Sequence, residues 1–346
     1  MKQNKYMSIL LRPPSFKMGS NLAVFSPSSP GNALFPHRLK RGVTALESLG
    51  FQVQVPEFAF KQYGYTAGTA EERANELMRL FEDDTVDGII CSIGGFNSSD
   101  ILPLLDYSII SKHPKIFAGY SDVTALLLGI YAQTNLVTFH APAILPEWGD
   151  YPEPLAYTVR SFRDLTEARS NFVKYQPPNE WTNEFLDWHK GEDNRPKNMY
   201  QNLGWKVLKE GVTVGCLIGG NIETLNFLVG TPYCPDFSGS VLFLEATDAE
   251  AYLPRLHRAL THLCLCGVFD KISGLLVGKC PDAHPVSGID LETVISVVTK
   301  CFNIPIALNI DLGHTNPMLT LPIGIQVKLS CIGTSVSLEL LESAVS

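Results

Sequence analysis

Apolar and polar positions along the first half of the chain follow two periods in turn. Residues 22–30 (LAVFSPSSP) predict a strand running into a Ser/Pro loop. Leu39, Val43, Leu46 and Leu49 then recur at helical spacing, which predicts a helix over 36–49. QVQVP (52–56) predicts a strand. Thr69 to Phe81 predicts a helix, with Thr69 at its start and Glu71 and Glu72 in the first turn. GIICSIGG (88–95) predicts a buried strand ending in a glycine pair. KIFAGY (115–120) predicts another, followed by a helix from Ser121 to about Tyr131. Strands separated by helices of this length imply a mainly parallel sheet covered on both faces, the α/β class. Ligands then bind at the carboxyl ends of the strands. The loops SPSSP, GGFNSSD and GYSD all follow strands, so they are expected along one edge.

The periodicity lapses over 174–206. About ten of these 33 residues are charged, against 18% of the chain, and the segment holds Pro177, Pro178, Trp181, Trp188 and Trp205. A loop this long is usually functional or disordered, and several tryptophans favour a functional or interface role. Order resumes beyond it. WKVLKEGVTVGCLIGG predicts a hairpin turning at Gly211, and a helix begins at Asn221. Strands are expected at 240–246, 272–279 and 305–314, and helices at 249–266 and 290–301. QVKLSC and SVSLELLE are expected to close the chain as a hairpin.

The chain has 346 residues, 45% apolar, which is enough to bury a sizeable core in about two domains. Its net charge of −8 is the reverse of the balance expected for a nucleic-acid polymer binder. No run of 18 apolar residues exists, so no membrane helix is expected. The apolar stretch Met7–Leu11 is too short for a signal-peptide core and two prolines follow it. Export is not expected, and the ordered fold is expected to begin near Asn21. Eight cysteines, mostly in apolar runs, read as free thiols of a reducing, cytoplasmic compartment. Cys264 and Cys266 form C-x-C without a second pair, and the histidines show no metal-ligand spacing, so no metal site is expected.

Three polar residues stand at the ends of apolar strands: Ser121, Glu245 and His314. A serine hydroxyl becomes a nucleophile when a histidine takes its proton and a carboxylate orients that histidine. Each residue also has a plain structural reading. Ser121 would cap the following helix, Glu245 would be the solvated end of a strand, and His314 a core or helix-end residue. The setting of Ser121 is not a G-x-S-x-G elbow, because Val123 replaces the second glycine. The GGFNSSD loop (94–100) is placed to offer backbone N–H groups to an oxyanion, or is a tight turn capped by Asn97, Ser98 or Ser99. Phosphate-loop and dinucleotide-binding signatures are absent.

The segments GGFNSSDILPLLDY, AGYSDVTALL, CLIGGNIETLNFLVGTPYCPDFSG, VLFLEATD and LNIDLGHTNPMLTLPIG together resemble the serine-type L,D-carboxypeptidase family. EWGDYPEPL (147–155) and the tryptophan-bearing segment are most similar to its microcin C immunity branch. The resemblance runs from about residue 21 to the end. It implies a Ser-Glu-His triad, with Ser121 as nucleophile, Glu245 as orienting acid and His314 as base. It also implies an oxyanion hole from the N–H of Asp122 and one from Gly95 or Gly94, and Asn221 as a pocket residue. No cofactor is implied. The implied architecture is an N-terminal Rossmann-like α/β sandwich carrying the serine (1–165), a linker and tryptophan loop (166–206), and a distinct C-terminal α/β domain carrying the acid and base (207–346). The site lies in the groove between them, and a homodimer is usual.

Two substrates follow. One is a peptidyl-nucleotide antibiotic or related aminoacyl-nucleotide, cut at the amide, with Trp181 or Trp188 stacking on the base; the other is a murein tetrapeptide losing its terminal D-alanine. The tryptophans would otherwise pack their own loop or a partner subunit. A non-catalytic protein that clamps a small ligand is the reading from another class; a thiol enzyme has less support, since no cysteine stands at a helix start as Ser121 does.

Overall fold

A computed structural model describes residues 10–167, 172–247 and 250–346. The first part of the apolar stretch Met7–Leu11 and the expected helix start at Ala249 lie outside the described residues.

The N-terminal half is built from β1 (Asn21–Phe25), α1 (Gly31–Leu34), α2 (Pro36–Ser48), β2 (Gln52–Gln54), α3 (Ala70–Glu82), β3 (Gly88–Cys91), α4 (Tyr107–Lys112), β4 (Ile116–Gly119), α5 (Thr124–Thr134), β5 (Thr138–His140) and α6 (Ala156–Thr166). Thr69 and Glu72 form a reciprocal capping box that starts α3, and the Asp106 side chain caps α4. β1 pairs in parallel with β2 and β3, β3 with β4, and β4 with β5. Strands β3 and β4 are buried along their whole length, as strands covered on both faces must be.

The linker contributes β6 (Lys174–Tyr175), β7 (Glu180–Trp181) and β8 (Tyr200–Gln201). The C-terminal half follows with β9 (Lys206–Lys209), β10 (Gly211–Asn221), α7 (Ile222–Leu228), β11 (Val241–Glu245), α8 (Leu253–Leu265), β12 (Gly274–Gly278), α9 (Leu291–Val298), β13 (Ile306–Ile310), β14 (Leu321–Ile323), β15 (Gln326–Ile332) and β16 (Ser335–Leu340). Its sheet runs in the order β6-β16-β15-β10-β11-β12-β13-β9. β10 to β13 are parallel to one another, and β15 and β16 form the expected hairpin.

The hairpin expected at Gly211 does not form. β9 pairs with β13 at the far edge, while β10 pairs antiparallel with β15 and then in parallel with β11. Glu210 alone separates β9 from β10, which is too short for a two-residue hairpin turn. β14, which the sequence reading did not separate out, leaves the C-terminal sheet and pairs antiparallel with β5. The N-terminal sheet therefore carries a strand from the C-terminal half, while β6 of the linker joins the C-terminal sheet. Order also begins before Asn21. Leu11 bridges to Leu136, the Ser15 N–H donates to the Ser346 carbonyl, and Phe16 is buried against Phe51 and Phe162.

α5 is buried through its first seven residues because both halves pack on it. The Asn221 N–H at the end of β10 donates to Thr124 Oγ1 at 3.0 Å, and a Cβ at Gly220 would fall 2.4 Å from that oxygen. The halves therefore meet at the start of the helix that follows Ser121.

Candidate active site

β4 ends at Gly119, and the chain turns sharply through Tyr120 and Ser121 into a short 3-10 turn and α5. Ser121 has φ +62°, a left-handed conformation that few residues other than glycine adopt and that costs on the order of 1–3 kcal/mol. Neither the turn nor α5 receives a side-chain capping bond at its start, so Ser121 is not a helix cap. The strained turn instead puts the hydroxyl into a cleft between the two halves, at the carboxyl end of β4.

Glu245 is the last residue of β11, 2% exposed, and His314 lies in the loop after β13. His314 Nδ1 is 2.8 Å from Glu245 Oε2. A carboxylate only accepts, so Nδ1 carries the hydrogen and Nε2 is left with its lone pair. Gly313, at φ +80°, makes this approach possible: a Cβ there would sit 2.6 Å from Glu245 Cβ. Burial alone would raise the Glu245 carboxyl, but the charge and hydrogen bond of His314 outweigh it and hold it below the ordinary value. Burial would likewise lower His314, and Glu245 outweighs that and raises the imidazole above 6.5. The His314 ring stands 5.1 Å from that of Tyr120. His314 and Ser121 line the same cleft, with no hydrogen bond between them among the described residues.

Gly94 and Gly95 form the wall beside the serine. A Cβ on Gly94 would fall 3.1 Å from Ser121 Cβ and 3.2 Å from the Asp122 nitrogen. Gly95 adopts φ +153°, and a Cβ there would fall 2.4 Å from Ser28 Oγ and 2.5 Å from Ser29 Oγ, so a side chain does not fit at Gly95, while one at Gly94 would make its neighbours give by a few tenths of an ångström. The N–H groups of both glycines meet no acceptor among the described residues. Three buried side chains hold this loop. Asp122 Oδ2 accepts from the N–H of Asn97 and Ser98 and from the Ser98 hydroxyl. Ser28 Oγ accepts from the N–H of Phe96 and Asn97. The Arg73 guanidinium donates to the carbonyls of Pro27 and Asn97. The sequence reading gave Asp122 only a backbone role; its carboxylate also ties the glycine loop to the serine turn.

The cleft encloses about 350 Å³. Trp188 lines it with Phe185 and Phe96, whose rings are 71% and 89% exposed. Trp188 is held from behind by the Arg38 guanidinium at 4.3 Å and by Phe35. Glu147, Glu184, Glu250 and Lys197 also face the cleft. Glu147 accepts from the Tyr120 hydroxyl and the Ala143 N–H, and burial pushes it up to about 7. Lys197 is paired with Asp150 at 2.9 Å. A larger cavity of about 680 Å³ between α2 and α6 contains none of the sequence-predicted site residues.

Two expected pocket residues lie elsewhere. Trp181 does not line the cleft; it lines a separate cavity beside Lys279. Asn221 is buried and its side chain is committed, Oδ1 capping α7 and Nδ2 donating to Glu250 Oε2 at 2.7 Å. It reaches the cleft only through Glu250. The sequence reading missed Tyr120, Glu147, Glu250 and His140. His140 ends β5 fully buried, its ring nitrogens without partners among the described residues, and burial lowers it to about 4, so it is neutral. No side-chain group among the described residues is arranged to hold a metal.

The model of the LD-carboxypeptidase N-terminal domain matches residues 22–141, and that of the LD-carboxypeptidase C-terminal domain matches 214–329. The microcin C7 self-immunity protein of Escherichia coli is 35% identical over 325 residues, covering 93% of each chain. A probable murein peptide carboxypeptidase of Bacillus subtilis is 31% identical over 343 residues, covering 98% of this chain and 97% of that protein. A structure of the self-immunity protein in complex with glutamyl sulfamoyl guanosine superposes with a TM-score of 0.88 at 33% identity, covering 97% of this chain and 100% of that one. With both domain models matched in order around a cleft that holds Ser121 and His314, the chain belongs to the LD-carboxypeptidase family and is a serine-peptidase-type enzyme.

Proposed function

We propose that the protein is a Ser121–His314–Glu245 hydrolase that cleaves the amide of an aminoacyl- or peptidyl-nucleotide of the microcin C type. His314 Nε2 takes the Ser121 proton as the serine oxygen attacks the carbonyl carbon. The N–H of Asp122 and that of Gly95 or Gly94 receive the oxyanion. His314 then protonates the leaving amine, and water releases the acyl group from Ser121.

The observation that carries the substrate is the aromatic wall. Trp188, braced by Arg38 and flanked by exposed Phe185 and Phe96, offers a stacking surface in the same cleft as Ser121. Stacking on such a ring contributes about 1–3 kcal/mol per base in single-strand binders. Solved relatives hold glutamyl sulfamoyl guanosine, aspartyl sulfamoyl adenosine and, in Streptococcus pneumoniae, AMP. Cleavage of a murein tetrapeptide is the second reading, supported by the Bacillus subtilis relative. It requires a cation for the terminal carboxylate. Lys197 is the lysine or arginine facing the cleft among the described residues, and Asp150 already neutralises it beside three glutamates.

Purified protein given an aminoacyl sulfamoyl adenosine and a murein tetrapeptide side by side separates the two. Cleavage of the adenosine compound is expected; release of D-alanine alone moves the protein to cell-wall recycling. We place it in the cytoplasm as a homodimer, and light scattering at twice the chain mass checks the assembly.

A further inference from the structure

Far from the cleft, the end of α8 carries a second set of reactive groups. His262 and Cys266 are one helical turn apart there, and Asn226 of α7 lies across from them. Cys266 Sγ is 3.4 Å from His262 Nε2, and His262 Nδ1 is 2.5 Å from Asn226 Oδ1. The proton positions follow from the far end. Asn226 Nδ2 donates to the Ile222 carbonyl at 2.8 Å, which can only accept, so the amide oxygen faces His262. That oxygen can only accept, so Nδ1 is the protonated nitrogen and Nε2 carries the lone pair. The thiol therefore donates to Nε2.

We propose that Cys266, with His262 as its base and Asn226 fixing the tautomer, is a modification site for small disulfides and other soft electrophiles. The proton of Sγ passes to His262 Nε2, and the thiolate attacks one sulfur of the incoming disulfide. The S–S bond of the reagent breaks, a mixed disulfide forms on Cys266, and the other half leaves as a thiolate that recovers the proton from the imidazolium. Cys266 is oxidised and the leaving half reduced, so the balance needs no further reagent. The remaining thiols are set apart, Cys264 by being half-buried with no histidine bonded to it among the described residues. Cys91, Cys216, Cys234, Cys280 and Cys331 are raised by burial, which suppresses their thiolates. Cys301 is exposed, as Cys266 is, and no histidine bonds to it among the described residues. Among the described residues no metal-holding group includes the pair.

The full-length protein is treated with a limiting amount of an aromatic disulfide at one fixed pH, and each cysteine is followed by peptide mass spectrometry. Cys266 is expected to react at least about tenfold faster than Cys301, as a base-assisted thiol does beside an unassisted one. His262→Leu is expected to bring its rate down to that of Cys301, and Asn226→Ala to lower it partway. Both positions are away from the core, and an unchanged rate at Cys301 reports an intact fold. Equal rates at the two cysteines in the wild type, or a Cys266 rate untouched by His262→Leu, overturns the proposal.

Discussion

Two local features shape the site, the left-handed turn at Ser121 and the carboxylate behind His314. Because Glu245 raises the imidazole above 6.5, the proposed base is lost to protonation at a higher pH than an isolated histidine would be. The acid limb of the kcat/KM profile is therefore expected above 6.5, with activity rising as His314 deprotonates. Glu245→Gln removes the charge that raises it, so the limb should move to lower pH while the plateau falls. A limb that stays in place in the variant would detach Glu245 from the base. At Gly313, substitution by alanine introduces a Cβ 2.6 Å from Glu245 Cβ at φ +80°. Activity is expected to fall with the fold retained, as circular dichroism would report.

Among the elements, the glycine loop depends on Asp122, whose carboxylate takes three donors from Asn97 and Ser98. Asp122→Ala leaves the two Ser98 donors unmet, while the Asn97 N–H keeps Ser28 Oγ, at a cost of about 1–3 kcal/mol, and is expected to lower kcat by loosening the loop beside Ser121. Helix α3 offers a stability test remote from the chemistry. Glu76 is buried with Oε1 unpartnered among the described residues, and burial raises its carboxyl to about 7. Its folded value lies above its unfolded one, so its contribution is full below about 4.5 and is lost as pH rises towards 7. Glu76→Gln should therefore stabilise the protein by about 1–3 kcal/mol near pH 8 and by little near pH 4, read by urea unfolding at both. A gain of the same size at both pH values would contradict it.

Helix and strand periods made most of these elements legible, because amphipathic helices and buried strands write their burial into the chain. Thr69 with Glu72 marked the start of α3, and the Ser121 and Glu245 strand ends were visible as polar residues after apolar runs. Pairing was less legible. Nothing in KVLK says that β9 lies on β13, and LPI of β14 is too short to reveal that it joins β5. Trp181 and Trp188 look alike in sequence, yet only Trp188 lines the cleft, held there by Arg38 and Phe35, which are distant in the chain. His140 and Glu147 gave no signal because their setting is made by contacts distant in the chain.

Across the whole molecule, residues 12–16 close on the C-terminal residues 342–346. Arg12 pairs with Glu342, Ser15 bonds to Ser346, and Phe16 packs into the N-terminal core at 3% exposure. Phe16→Ala is expected to cost about 3–5 kcal/mol, which a shift in the urea midpoint would show. A change of a few tenths would mean that the arm is not part of the cooperative fold. The crossing of β14 into the N-terminal sheet and the Asn221–Thr124 bond join the halves that supply Ser121 on one side and Glu245 with His314 on the other. The proposed reaction thus draws on both halves of the molecule.

The most direct test is turnover of an aminoacyl sulfamoyl adenosine by the wild type and by Ser121→Ala, with binding of the same compound measured in parallel. The account predicts that the variant binds with similar affinity and loses about 10⁴-fold or more in kcat. A Ser121→Ala protein that turns the compound over like the wild type would contradict it.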